Sequence, residues 1–165
     1  LTTTTWLTAA AAAVLLAATP AGAALFSEGE VVSLDEASFN KRVLGGDEFW
    51  VVKWKTEWCG GCKMVAPWFK EAAAALKEDG IMFGAMDVDE NAQLSKSYGV
   101  SGMPHIMSFA PNNVEEPVGM AGLGGAASVV NFAKREFAKL PIETRQKLAL
   151  AASLSRSSEI INDDL

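Results

Sequence analysis

The sequence predicts an α/β sandwich whose sheet mixes parallel and antiparallel strands. Three observations carry this. From Glu28 onward, runs of strand character alternate with runs of helix character in the order β-α-β-α-β-α-β-β-α, the alternation that builds a layered α/β domain. Phe49-Trp50-Val51-Val52-Lys53-Trp54 is rich in β-branched and aromatic residues and reads as a central, buried strand. Gly45-Gly46, Asp79-Gly80, Gly99 and Pro111 fall at the junctions between these runs, where turn chemistry belongs.

Taken in order, Val31-Val32-Ser33-Leu34 is a short strand, and Asp35 or Ser33 can cap a helix over 36–44. The central strand spans 49–54. A long helix pattern then runs over 59–78, strongest at Ala72 to Leu76, with Pro67 inside it. A proline there is expected to kink the helix one turn past Cys62. The next strand spans 81–89, followed by a short helix over 90–98 closed by Gly99. Residues 100–104 form a turn, 105–110 a strand and 111–113 another turn. A last strand is expected over 117–121, with Pro117 marking an edge position. Ala126 to Leu140 is an amphipathic helix with Val129, Val130, Phe132, Ala133 and Phe137 on its apolar side. After Pro141, a helix over 143–154 and a mobile, acidic end over 156–165 are expected.

The composition bounds the function. The chain has 165 residues, 50% hydrophobic and 21% charged, enough for one domain with its own core. A net charge of −6 and a pI near 4.8 argue against nucleic acid as a partner, because phosphate binding needs a basic face. Two cysteines are too few for a disulfide-stapled mini-fold. With the single histidine, His105, they cannot complete a four-ligand zinc site without carboxylates, and no metal is expected.

No charged side chain occurs from Leu1 to Ser27, and Trp6 to Ala18 is apolar apart from Thr8. Thr19-Pro20 breaks that run, and Ala21-Gly22-Ala23-Ala24 offers small residues at cleavage-site spacing, the pattern of a secretory signal. The run is too short to span a bilayer, which takes about 20 residues. A basic leading region and an initiator methionine are missing, so the signal is expected to be truncated at its start. The expected organisation is a signal peptide over 1–24, a domain over 25–140 and a helical, acidic tail over 141–165, with no stable membrane span after signal cleavage.

The chemistry concentrates in Trp58-Cys59-Gly60-Gly61-Cys62-Lys63, which holds both cysteines at Cys-x-x-Cys spacing. We read it as a redox dithiol at the start of a helix. The segment Trp58 to Pro67 resembles the active-site segment of the thioredoxin superfamily, and Tyr98-Gly99-Val100-Ser101-Gly102-Met103-Pro104 resembles its second signature, which ends in a cis-proline. Asp87-Val88-Asp89-Glu90-Asn91 stands where that family ends its third strand. The resemblance covers roughly residues 31–137. It implies a thioredoxin fold, a central mixed sheet flanked by helices on both faces, and thiol–disulfide exchange as in thioredoxins and protein disulfide isomerase domains.

Exchange needs one thiolate to attack and a second thiol to resolve the mixed disulfide. Cys59, at the first turn, would have its pKa lowered by the helix N-terminus and act as nucleophile, with Cys62 as the deeper resolver. The redox-active Cys59–Cys62 pair needs no added cofactor. Trp58 is expected to be partly exposed beside it, whereas Trp54 and Phe69 are expected in the core. Thioredoxins usually carry Gly-Pro between the cysteines and isomerases Gly-His; Gly60-Gly61 carries neither cue, so the direction of electron flow stays open.

The resemblance also places Lys53 where relatives bury an acid beneath the resolver, and Ala85 where many carry its lysine partner. Lys53 is either buried with a lowered pKa, able to act as a neutral base, or turned outward with its ammonium in water. Met103-Pro104 would hydrogen-bond an extended substrate strand beside Cys59. His105, where relatives often have threonine, either favours the thiolate or is structural. Asn162-Asp163-Asp164-Leu165 is similar to the lysine-aspartate-glutamate-leucine retrieval signal.

The expected function is a protein disulfide isomerase-like oxidoreductase acting on protein thiols and disulfides in the endoplasmic reticulum lumen. The alternatives are a reducing thioredoxin of another compartment, such as a plastid or thylakoid lumen, and a redox-inactive, chaperone-like binding module.

Overall fold

A computed structural model describes residues 31–111, 113–122 and 124–162. The expected signal peptide and the final three residues of the chain lie outside the described residues. The elements are β1 (Val31–Leu34), α1 (Glu36–Ser38) continuing as π-helical turns over Phe39–Leu44, β2 (Phe49–Lys55) and α2 (Gly60–Leu76), which ends in a 3-10 turn over Lys77–Asp79. They continue with β3 (Ile81–Asp87), α3 (Ala92–Ser97), β4 (His105–Ala110), β5 (Asn113–Gly119), α4 (Ala126–Phe137) and α5 (Ile142–Asn162).

The strands form one sheet in the order β1-β3-β2-β4-β5. β3 pairs in parallel with both β1 and β2, while β4 pairs antiparallel with β2 and β5. β2 is therefore the central strand. Six of its seven residues are buried, and alternate side chains enter different cores. Phe49 and Val51 join Val65, Phe69, Phe83, Ile106, Val129 and Phe132 in a core under α2 and α4. Trp50, Val52 and Trp54 join Phe39, Val43, Met86, Met107 and Phe109 in a core on the α1 side. The second core is largely aromatic: Phe39 lies edge-on to Phe109 at 5.3 Å and to Tyr98 at 5.7 Å between centroids.

Local chemistry sets the boundaries. Of the two caps open to α1, Asp35 is used: its carboxylate accepts the Ser38 N–H at 2.8 Å, and the Ser38 hydroxyl accepts the Asp35 N–H at 2.9 Å. This reciprocal pair satisfies two otherwise free helix-end donors. Pro67 lies within α2, which continues past it for nine residues to Leu76. Gly99, at φ 69, follows α3 as expected.

Three boundaries differ from the sequence reading. β3 stops at Asp87 and α3 starts only at Ala92, with Asp87 accepting the Asn91 side-chain amide through its carbonyl. β5 spans Asn113–Gly119, not 117–121, because the hairpin turn is shorter than expected; Pro117 does sit on the edge strand. α5 is helical to Asn162, beyond the expected 154 and into the stretch expected to be mobile. Its buried Leu148 and Ala152 anchor it. Gly80, at φ 76, makes the docking possible, since a Cβ there would stand 2.7 Å from the Leu148 carbonyl.

Phe39 is fully buried between β2, β4 and Tyr98. Phe39→Ala is expected to lower unfolding free energy by about 3–5 kcal/mol, read from the denaturant midpoint. A loss below about 1 kcal/mol would mean the second core does not need this ring.

Candidate active site

β2 ends at Lys55, and Thr56-Glu57-Trp58 turn the chain into α2. Cys59 is the residue that caps the helix, in extended conformation at φ −76 and ψ 106. Its Sγ accepts the Cys62 N–H at 3.0 Å, and its carbonyl accepts the Lys63 N–H at 3.2 Å. Sulfur thus takes the place that a hydroxyl or carboxylate oxygen usually fills. A disulfide joins Cys59 to Cys62, with Cα atoms 5.2 Å apart. On reduction, a thiolate at this cap would face the free N–H groups of the helix start, which favours the anion. Cys62 is the more enclosed of the two, at 3% exposure against 7% for Cys59.

The other residues singled out in the sequence gather unevenly around this pair. The Met103-Pro104 bond is cis, as the resemblance implies. A Cβ on Gly61 would meet Pro104 Cδ at 3.2 Å, whereas one on Gly60 would meet nothing within 4 Å. Gly61 therefore touches the proline turn, and Gly60 faces open space. Met103 is half-buried. Trp58 is 70% exposed, and its indole N–H donates to Asp89 Oδ2 at 2.8 Å. Trp54 and Phe69 are fully buried.

His105 pairs across the sheet with Trp54, and its buried Nε2 has no hydrogen-bond partner among the described residues. A Cβ on Gly119 of β5 would stand 3.6 Å from that Nε2. Lys53 takes the first of the two placements left open by the sequence. It is 5% exposed, between Ala85 of β3 and Ile106 of β4. Its Nζ lies 5.1 Å from the centroid of the Phe69 ring. Burial pushes its ammonium pKa down, and the charges of Lys55 and Lys70 push the same way.

A charged cluster that the sequence reading missed braces the loop before Cys59. Lys55 Nζ donates to Asp87 Oδ2 at 2.8 Å and to Glu57 Oε1 at 2.7 Å. These bonds tie the end of β2 to the end of β3, and hold the Lys55 ammonium above its usual pKa. The Asp87 Oδ1 also accepts the Asp89 N–H at 3.0 Å, which positions the partner of Trp58. The register of β2 against β3 was the missing signal: it sets Lys55 opposite Asp87, which spacing along one strand cannot reveal.

The Lys55 hydrogen bond, chiefly, holds the Asp87 carboxyl below the ordinary value of 3.8. A lowered carboxyl pKa adds stability above the unfolded value, and that stability fades as pH falls through the folded one. Asp87→Asn is therefore expected to lose about 1–3 kcal/mol at pH 7. The gap between variant and wild type should close as unfolding is measured below the ordinary carboxyl value. A gap independent of pH would contradict the ion pair.

Comparison with known proteins agrees with this geometry. The thioredoxin family profile matches residues 30–135. Human protein disulfide-isomerase A6 is 37% identical over 103 residues, covering 62% of this chain and 23% of that protein. A protein disulfide isomerase-like 2-2 of Oryza sativa subsp. japonica is 36% identical over 116 residues, covering 69% of this chain and 31% of that protein. The chain thus spans about a quarter to a third of the length of these relatives. Among solved structures, the Trx4 domain of ERdj5 superposes with a TM-score of 0.60 at 22% identity, covering 67% of this chain and 97% of that one. With the five-stranded mixed sheet, the helices on both its faces and the Cys-x-x-Cys disulfide at a helix start, the chain belongs to the thioredoxin family.

Proposed function

We propose that the protein is a thiol–disulfide oxidoreductase of the protein disulfide isomerase type, exchanging disulfides with protein substrates through Cys59 and Cys62. The observation that carries this reading is the placement of Cys59 Sγ as the cap of α2, bonded to Cys62 and accepting its N–H. In the reduced state Cys59 is the nucleophile. Its thiolate attacks one sulfur of a substrate disulfide, the other substrate sulfur leaves as a thiolate, and a mixed disulfide remains. Cys62 then attacks Cys59 Sγ, which releases the substrate reduced and restores the Cys59–Cys62 bond. The reverse sequence delivers a disulfide. The pair carries the two electrons itself, so no further cofactor enters.

The surroundings suit a protein substrate. Trp58 and Met64 are exposed apolar side chains flanking the cap, at 70% and 60%, and Met103 precedes the cis-proline turn that Gly61 touches. An extended segment could add as a strand to the Met103 backbone, and its flanking side chains could rest on Trp58. We place this activity in the secretory pathway, in the endoplasmic reticulum lumen. The charge-free apolar stretch near the N-terminus and the likeness to protein disulfide isomerases support that placement.

Turbidity of insulin reduced with dithiothreitol as electron source tests the reading. Wild type should accelerate precipitation, and Cys59→Ala should fall to the rate of dithiothreitol alone. Cys62→Ala should attack but persist as a mixed disulfide visible on a non-reducing gel. Unchanged catalysis by Cys59→Ala would contradict exchange through this cysteine, and no acceleration by wild type would leave a fold that binds but does not exchange.

A further inference from the structure

Lys55, the last residue of β2, grips the chain on both sides of the Trp58 hydrogen bond. Its Nζ donates to Glu57 Oε1 at 2.7 Å and to Asp87 Oδ2 at 2.8 Å. Glu57 directly precedes Trp58, and Asp87 stands two residues before Asp89, whose Oδ2 accepts the indole N–H at 2.8 Å. The Asp89 N–H in turn donates to Asp87 Oδ1 at 3.0 Å. These contacts close a ring, from the Lys55 amine through Glu57 to Trp58, across to Asp89 and back through Asp87. Each carboxylate oxygen of Asp87 has its own donor, so the amine fixes which way the second oxygen faces.

Trp58 has need of such a ring. It is 70% exposed, so packing holds little of it, and fixing an exposed side chain costs rotamer freedom. A hydrogen bond to a carboxylate offsets that cost when the carboxylate is itself held. Asp89 lies in the loop between the end of β3 at Asp87 and the start of α3 at Ala92. That loop hangs from Lys55 twice: the Val88 N–H donates to the Lys55 carbonyl at 2.8 Å, and Asp87 meets the amine. Of the two ion pairs, the one with Asp87 carries more. The Asp87 side chain is 13% exposed against 84% for Glu57, and exposure screens charge. Beside the indole, a Cβ on Gly60 would meet nothing within 4 Å, and Met64 shares the Gly60 face of α2. That flank of the dithiol therefore offers a bound segment the indole and the Met64 side chain.

We propose that Lys55 is a positioning residue for substrate binding: its amine clamps the two loops that hold the Trp58 indole beside Cys59, and so sets the affinity for a protein substrate without entering the exchange. The inference rests on the oxidoreductase reading given above. The substrate it favours is an extended segment with an apolar or aromatic side chain flanking its cysteine, which lies on the indole. An indole already fixed costs less to order when that segment arrives, and the saving appears as affinity. With the amine removed, the Asp87 carboxylate turns to solvent, Asp89 loses the acceptor of its N–H, and the indole moves.

The test uses the full chain and initial rates of insulin reduction over a range of insulin concentrations, with dithiothreitol as electron source. Lys55→Met should raise KM about five- to tenfold while kcat stays within about twofold. Lys55→Arg, whose guanidinium still bonds two carboxylates, should return KM to within about twofold of wild type. In a Trp58→Ala background, Lys55→Met should leave KM where Trp58→Ala alone puts it. An unchanged KM in Lys55→Met overturns the proposal. So does an equal rise in both backgrounds, since the lysine would then act without the indole. A readout on wild type guards against a misfolded variant: exchange of the Trp58 indole N–H with water, followed by NMR on the resonance that Trp58→Ala removes. It should run at least about tenfold slower than in a free indole, and exchange at the free rate overturns the clamp. Absence of insulin reduction by wild type would instead overturn the oxidoreductase reading, and the indole exchange rate would still decide the clamp.

Discussion

β2 is hydrogen-bonded along both edges, to β3 in parallel and to β4 antiparallel, and its side chains are enclosed on both faces. Among the described residues, no other strand bridges the parallel and antiparallel halves of the sheet. Its enclosure holds Phe49, Val51, Trp50, Val52 and Trp54 in two separate cores, so a slip of one residue would exchange their contents. The dithiol depends on that constraint. Cys59 lies four residues past the end of β2, and Lys55, fastened to Asp87 and Glu57, fixes the loop that presents it. The cap of α2 is thus set by the most enclosed strand of the sheet, which suits a fixed reaction geometry.

Around this scaffold the electrostatics divide into two regions. On the rim, Glu57 and Asp87 neutralise Lys55, and Asp89 accepts the Trp58 indole N–H. Beneath α2, Lys53 is buried against the Phe69 ring. At the start of α2 the free N–H groups of the helix end favour an anionic sulfur over the thiol.

Much of the fold was legible because its period and punctuation were strong. The aromatic and β-branched run at 49–54 announced the central strand, and the glycines after 44, 79 and 98 marked the ends of three helices. What stayed hidden depended on partners far along the chain. β5 was placed late because Asn113, Glu115 and Glu116 carry little strand propensity around the single Val114, and pairing with β4 makes the stretch extended. α5 was cut short because Arg156 to Asn162 read as a polar end, whereas helix propagation from the anchored Leu148 and Ala152 carries them. At the candidate site, Cys59, Cys62 and the cis bond before Pro104 followed from local motifs. The Lys55–Asp87 brace, the Asp89–Trp58 bond and the burial of Lys53 did not, because each is a matter of register between strands or of a loop folding back.

The proposed exchange requires that Cys59 and Cys62 interconvert between disulfide and dithiol, with the reduced form favoured by the helix start. The equilibrium potential of this pair, measured by titration of the full chain against glutathione, tests it most directly. A stabilised reduced form makes the pair an oxidant, so a potential near about −200 mV is predicted, in the range where isomerases work. A value below about −250 mV, in the range of reducing thioredoxins, would contradict it.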